Sequence, residues 1–297
     1  MDTLGMNPKD NLPDEFAVTE VLGQPAVVLR APDGARATVL LHGAHLVSWV
    51  PAGAEEQLYL SPQAVAGPGM AVRGGVPVIF PQFELMGPDT SLPRHGLART
   101  RAWRVDSGRV GEEHAQMTLV LTDDDATRAL WPNGFRLELT ISIEANRLDL
   151  ELHAENTGDT AWSFAAALHT YLAVSELSQV RLQGLIGRRF IDRINGGETI
   201  EDHPEKRLHG EIDRIYANVK EHLLLRDGPR RLRIDQQELP DAVIWNPGPD
   251  GAARLADMPD DGWQHMLCIE AARILEPVKL APGQDWDGRQ SLTLEAF

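Results

Sequence analysis

Cysteine is almost missing from this chain: Cys268 stands alone among 297 residues, so no internal disulfide can form. Disulfide frameworks belong to oxidising compartments, and their absence favours a cytoplasmic protein. Long apolar runs are missing too; nothing approaches the roughly 18 residues that a membrane helix needs. The opening stretch MDTLGMNPKDNLPDEF is polar and shows no secretory signal. Basic charge is in deficit, with 28 Lys and Arg against 44 Asp and Glu and a formal net charge of −16. Nucleic-acid surfaces rest on Lys and Arg that neutralise phosphates, so no nucleic-acid partner is expected. A small anionic substrate remains compatible, provided that a local arginine cluster works against the overall field.

Several chemical signatures are absent as well. There is no G-x-x-x-x-G-K-[ST], no G-x-G-x-x-G after a strand, no H-E-x-x-H and no paired cysteines for zinc. G-x-S-x-G is also missing. Nucleotide-dependent, zinc-peptidase and serine-hydrolase readings therefore start without support.

What is present has period two. In FRLELTISIEANRLDLELHAEN, Leu137, Leu139, Ile141 and Ile143 alternate with polar residues, and Leu148, Leu150, Leu152 and Ala154 do so again. The pattern predicts a hairpin turning near Ala145-Asn146. Further short strands are expected at about 16–22, 25–31, 36–41, 116–122, 162–174, 230–235, 241–246, 265–271 and 289–296, with a turn or two of helix over 124–131. Many short strands separated by Gly, Pro, Asn and Asp indicate an all-β antiparallel sandwich or barrel. Residues 1–15 read as a loose leader and 16–297 as a single domain. Residues 51–100 are rich in Gly and Pro and poor in alternation, the kind of long irregular segment that often carries function.

The strand over 162–174 places Phe164, Ala166, Leu168, Thr170, Leu172 and Val174 on one face and Ala165, Ala167, His169, Tyr171 and Ala173 on the other. Small residues around a His-Tyr pair leave space, so this face can floor a cavity. A core histidine bonded to a backbone carbonyl explains the same pattern. In QHMLCIEAARI, both faces are apolar, and Glu270 shares one with Met266, Cys268 and Ala272. A carboxylate placed inside is costly unless paired, and burial raises its pKa toward that of a general base. Pairing with Arg73 or Arg273 is the structural alternative. Arg73 precedes a Gly-Gly turn, and Arg94, His95 and Arg99 surround Gly96. Arginines in Gly-rich loops suit capture of phosphate or carboxylate, although solvated loop arginines are commoner. The runs DDD at 123–125 and DMPDDG at 257–262 read as acidic surface loops, and neither matches a calcium-binding pattern. The seven tryptophans read as core or rim, with one or two available to stack on a sugar.

LLHGAHLVSWVP, LYLSPQAVAGPGMAVRGGVPVIFPQF, LPRHGLARTRAW, ALHTYLAVS, DRIYANV, VIWNPG and MLCIEAA follow one another in an order that resembles the glucose-6-phosphate 1-epimerases. These are hexose-6-phosphate mutarotases of the aldose 1-epimerase, galactose mutarotase-like superfamily. The resemblance covers about residues 16 to 297. It implies a large antiparallel β-sandwich, a monomeric enzyme without metal or cofactor, and a sugar phosphate as small-molecule partner, with no membrane involved. It implies His169 as general acid and Glu270 as general base, with Arg73, Arg99 and Asp213 binding substrate. Arg94 and His95 join them as substrate-binding candidates; some relatives have Gln at position 94. FPQFE departs from the more usual FPWFG: Gln82 replaces an aromatic, and Glu84 stands where the family often has glycine. A carboxylate facing the pocket would repel a phosphate, so Glu84 is expected to point away.

The implied reaction interconverts the α and β anomers of an aldohexose 6-phosphate through ring opening. It asks for a protonated His169 and an ionised Glu270 on opposite sides of one ring, which two facing strands of a sandwich can supply. An aldose 1-epimerase acting on free sugars would use the same pair without the arginines. A sugar-phosphate sensor would keep the arginines and tolerate loss of the pair. A glycoside hydrolase would want two carboxylates, and only one good candidate is present.

Overall fold

The computed structural model describes residues 12–87 and 91–295. The hairpin follows directly from its alternation. Arg136–Glu144 and Arg147–Glu155 bury every second residue, and Ile143 lies opposite Leu148 and Leu137 opposite Ala154. The chain turns at Ala145-Asn146, where Asn146 donates from its side-chain amide to the carbonyl of Leu294 at 2.7 Å.

Around this hairpin a nine-stranded sheet runs in the order Glu205–Arg207, Arg181–Gln183, Leu223–Asp227, Arg230–Gln237, Asp285–Leu294, Arg147–Glu155, Arg136–Glu144, His114–Thr122, Arg104–Val110. A second sheet runs Glu198–Ile200, Arg189–Asp192, Glu211–Tyr216, Asp241–Pro247, Met266–Leu280, Trp162–Leu168, Val78–Ile79, with Tyr171–Ala173 also paired to Met266–Leu280. A four-stranded meander, from Ala17–Val21 to His45–Val50, completes the fold. The pairings between these strands are antiparallel. The two large sheets form a sandwich: Phe164, Ala166, Leu168 and Ile269 of one share a core with Leu150, Leu152 and Leu292 of the other. Truncating a buried aromatic such as Phe164 to alanine in such a core costs about 3–5 kcal/mol.

Strands that the alternation did not reveal have physical reasons for hiding. His45–Val50 is buried on both faces, so its pattern does not alternate. Arg104–Val110 carries a register shift between Val105 and Ser107 that breaks its period. Met266–Leu280, expected to end near 271, continues for 15 residues. The segment 51–100 is irregular as expected, holding the short strand Val78–Ile79 and a 3-10 turn at Ala98–Thr100. The expected helix spans Asp125–Leu130, and DDD opens it: Asp124 accepts from Thr127 N at 2.7 Å while Thr127 Oγ1 accepts from Asp124 N at 2.7 Å. Of the leader expected over 1–15, residues 1–11 lie outside the described residues, and Leu12 packs against the core. Among the described residues, no helix is long and apolar enough to cross a membrane.

Candidate active site

The strand carrying His169 is interrupted at that residue. Leu168 lies opposite Ala271 before the break and Tyr171 opposite Cys268 after it, the same register on both sides. His169 therefore stands level with Glu270 on the neighbouring strand. At the break the His169 amide donates to the Pro77 carbonyl at 3.0 Å, and the Ile269 amide donates to the Thr170 carbonyl at 3.1 Å. Thr170 turns its hydroxyl to the opposite sheet and donates to Gln290 Oε1, while Gln290 Nε2 donates to the Ile269 carbonyl at 3.0 Å. Gln290 thus holds the interruption from beneath.

Two rows of side chains cross the outer face of this sheet. His169 and Glu270 continue through Val243 to Ile215; Tyr171 and Cys268 continue through Trp245 to Asp213. His169 Nε2 and Glu270 Oε1 are 3.4 Å apart, with side chains 9% and 1% exposed. Tyr171 stacks on the imidazole at 4.9 Å, and Trp245 meets it edge-on at 6.1 Å. The pair comes from adjacent strands of one sheet, which corrects the expectation of two facing strands. Pairing of Glu270 with Arg73 or Arg273 is likewise not what the structure shows, since Arg73 holds Asp257 and Arg273 lies 3.8 Å from Glu238.

Burial governs the electrostatics of the pair. It drives His169 well below 6.5, helped by His95, Arg99 and Arg73, and drives Glu270 well above 4.5, helped by Asp213 and Glu84. In the substrate-free cavity desolvation works against the charged form of each group. His169 Nδ1 and Glu270 Oε2 are buried without a hydrogen-bond partner.

The seven residues singled out from the sequence line one cavity of about 240 Å³. Arg73 donates from Nε to Asp257 Oδ1 at 3.2 Å and from Nη1 to the Tyr171 hydroxyl at 3.1 Å. Burial opposes its charge, but Tyr171 and Asp257 together raise its pKa. Asp257, read from sequence as part of a surface loop, is thus a support for this arginine. The backbone after Arg73 needs glycine: Gly75 has φ 59°, and a Cβ there would collide with the Leu46 carbonyl. Arg99 sits on the 3-10 turn and donates from Nη2 to the Arg94 carbonyl at 2.9 Å. It belongs to no ion pair among the described residues, its Nε has no partner, and burial with Arg73 and Arg94 pushes it down to about 10.

The loop around residues 82–95 is tied to itself. Gln82 is fully buried and donates to the carbonyls of Glu84, Leu92 and Pro93 at 3.1–3.2 Å. The Glu84 amide donates to His95 Nδ1 at 3.3 Å, and the His95 amide returns to the Glu84 carbonyl at 3.0 Å. Burial and the surrounding guanidiniums push the His95 ring down to about 2, so it is neutral with its hydrogen on Nε2. Asp213 lies 3.9 Å from Arg193, and burial raises its pKa to about 6 against that attraction.

Glu84 does not point away. It lines the cavity, and its two carboxylate oxygens accept from Arg94 and Arg193. Two guanidiniums neutralise it, which is the physical reason that a charge is tolerated there. Two of the positions that depart from the resembled pattern, Glu84 and Arg94, are bonded to each other. Arg193, Tyr171 and Trp245 also line the cavity without having been singled out as site residues. Tyr171 shares the His169 face two residues on, a signal that was available. Arg193 follows strand Arg189–Asp192 in a turn, with nothing in its surroundings to separate it from other arginines. Among the described residues, the groups able to hold a cation, His153 with Asp285 and Asp287 and Glu201 with Asp202 and His203, lie outside this cavity. Chemically, the site offers a proton-exchanging pair beside a wall of guanidiniums.

A family described as aldose 1-epimerase matches residues 25–293. A protein of Cenchrus ciliaris described as "putative glucose-6-phosphate 1-epimerase" is 31% identical over 295 residues, covering 95% of this chain and 89% of its own. One of Escherichia coli K12 with the same description is 36% identical over 256 residues, covering 82% of each. The crystal structure of a "putative mutarotase" from Salmonella typhimurium superposes with a TM-score of 0.88 at 28% identity, covering 96% of this chain and 95% of that one.

Proposed function

The chain belongs to the aldose 1-epimerase family, and we propose that within it this epimerase interconverts the α and β anomers of an aldohexose 6-phosphate, with glucose 6-phosphate the leading substrate. The carrying observation is the buried His169–Glu270 pair, each with an unpartnered polar atom, in a cavity walled by Arg73, Arg94, Arg99 and Arg193. A neutral sugar would not call for four guanidiniums in a chain of net charge −16. The names of the similar proteins support the same substrate class.

In this reading the sugar ring lies on His169 and Glu270 with its phosphate toward the arginines. Between turnovers the pair holds one proton. The reactive form has that proton on His169, reached by transfer from Glu270 across 3.4 Å. Glu270 then takes the proton of the C1 hydroxyl while His169 gives its proton to the ring oxygen, and the C1–O5 bond breaks to the open aldehyde. Rotation about C1–C2 presents the other face. O5 attacks C1, returning its proton to His169, and the C1 oxygen takes the proton from Glu270. One acid and one base, each restored at the end, suffice. The stacked Tyr171 ring and edge-on Trp245 hold the imidazole in place. The buried free thiol of Cys268 supports a cytoplasmic setting.

The test follows the anomers of freshly dissolved α-glucose 6-phosphate, α-glucose and α-galactose by polarimetry. Acceleration of the phosphate ester well beyond the free sugars is expected. Equal acceleration of all three would assign the protein to free sugars, and acceleration of none would refute the reading.

A further inference from the structure

Glu84 takes no part in the proton transfers, yet its carboxylate is set into the arginine wall. One oxygen accepts from Arg94 Nη2 and the other from Arg193 Nη2. These are charge-assisted donors of the kind that a phosphate group uses. The backbone around this side chain is strained and locked. Glu84 has φ 52° and His95 has φ 65°, and the two residues are joined by hydrogen bonds in both directions. The left-handed conformation is unfavourable for a residue with a side chain and persists only where the surroundings impose it. An acidic side chain is therefore held at a position that glycine would occupy more easily. Its side-chain partners among the described residues are the two guanidiniums.

The distribution of charge in the wall is uneven. Arg73 is neutralised by Asp257, Arg94 and Arg193 share Glu84, and Arg193 also lies 3.9 Å from Asp213, while Arg99 has no carboxylate partner among the described residues. The Arg94 side chain is 66% exposed, whereas Glu84 is 15% and Arg193 23% exposed, so the cluster opens to an incoming group through Arg94.

We propose that Glu84 is an internal counter-ion that sets the apparent affinity of the site for anions: it occupies Arg94 and Arg193 until the phosphate of the substrate displaces it. This rests on the sugar-phosphate reading above. A neutral hexose cannot displace a carboxylate from two guanidiniums. A sugar carrying a single carboxylate meets a competitor of its own charge. A phosphate ester brings a charge of about −1.5 to −2 and three strong acceptor oxygens, so it wins the exchange. Every anionic ligand must overcome the internal carboxylate, and its apparent affinity is reduced by the fraction of sites in which the arginines are free.

The experiment uses calorimetric titration of wild type, Glu84→Gln and Glu84→Ala with glucose 6-phosphate, inorganic phosphate and glucuronate, with thermal unfolding to check that each variant is folded. Both variants should bind glucose 6-phosphate and phosphate about tenfold more tightly than wild type, for competition worth about 1.4 kcal/mol. Glucuronate, weak on wild type, should gain as much. Variants that bind the phosphate ester equally or more weakly would overturn the proposal and make Glu84 a support for the arginines. Wild type that binds no phosphate ester would instead overturn the sugar-phosphate reading and this proposal with it. If the variants fail to fold, carboxyl carbon NMR of the wild type decides. Burial works against the Glu84 charge, but Arg193 and Arg94 hold its titration below the usual carboxylate range. Saturating phosphate should move that titration up if Glu84 is displaced; an unmoved titration overturns the proposal.

Discussion

His169 and Glu270 stand level on neighbouring antiparallel strands, with Nε2 and Oε1 3.4 Å apart and one atom of each left without a partner. The relationship arises from backbone geometry. An interruption in one strand preserves the register, so the two side chains meet at the cavity, while Ala165 and Ala167 on the same face pack in a buried cluster with Ile79 and Phe83 rather than lining it.

In the proposed mechanism this pair sets the pH behaviour. The reactive state needs one proton shared between the two groups. A second proton is added only when His169 accepts it, and burial places that well below 6.5. The proton is lost entirely only when Glu270 gives it up, well above 4.5. For the substrate-bound enzyme kcat should therefore stay level as pH falls through 6.5 and decline only beneath it, as apparent values of the coupled pair. A half-loss of kcat centred on 6.5 would mean an ordinary solvated imidazole.

Arg99 is the guanidinium in the wall without a carboxylate partner among the described residues. Arg99→Ala should raise KM for glucose 6-phosphate about ten- to a hundredfold, matching the loss of one charge-assisted hydrogen bond of about 1.5–3 kcal/mol. Steady-state kinetics check this. A KM within twofold of wild type would remove Arg99 from phosphate binding.

Gln290 links the strand interruption to the opposite sheet. It is fully buried, as is Thr170. Gln290→Leu leaves the Thr170 hydroxyl and the Ile269 carbonyl without that partner and should destabilise the fold by about 1–3 kcal/mol. Since Thr170 follows His169 directly, kcat should fall in the protein that remains folded. Chemical denaturation with parallel kinetics checks both, and a stability change under about 0.5 kcal/mol would show that the interruption holds itself.

Much of this was legible in the sequence, for reasons specific to each element. Arg136–Glu155 was readable to the turn because one face meets the core and the other water, so period two survives intact. The two faces of 162–174 were also readable: Phe164, Ala166 and Leu168 enter the central core and Ala165 and Ala167 the opposite cluster. The break at His169 was not readable, because Pro77 and Gln290, which complete its hydrogen bonds, are distant in the chain. Glu84 was misread because its electrostatics depend on Arg193, 109 residues away. Trp245 was one of seven equivalent tryptophans until pairing placed it opposite Cys268, in the same cross-strand row as Tyr171.

The central claim is that His169 and Glu270 exchange protons with the anomeric centre. Exchange spectroscopy on an equilibrated α/β mixture of glucose 6-phosphate measures anomer interconversion directly, with wild type and with folded His169→Asn and Glu270→Gln at equal concentration. General acid–base groups contribute about 10²–10⁴-fold, so each variant should lose at least a hundredfold in exchange rate. Variants that exchange the anomers within twofold of wild type would contradict the account.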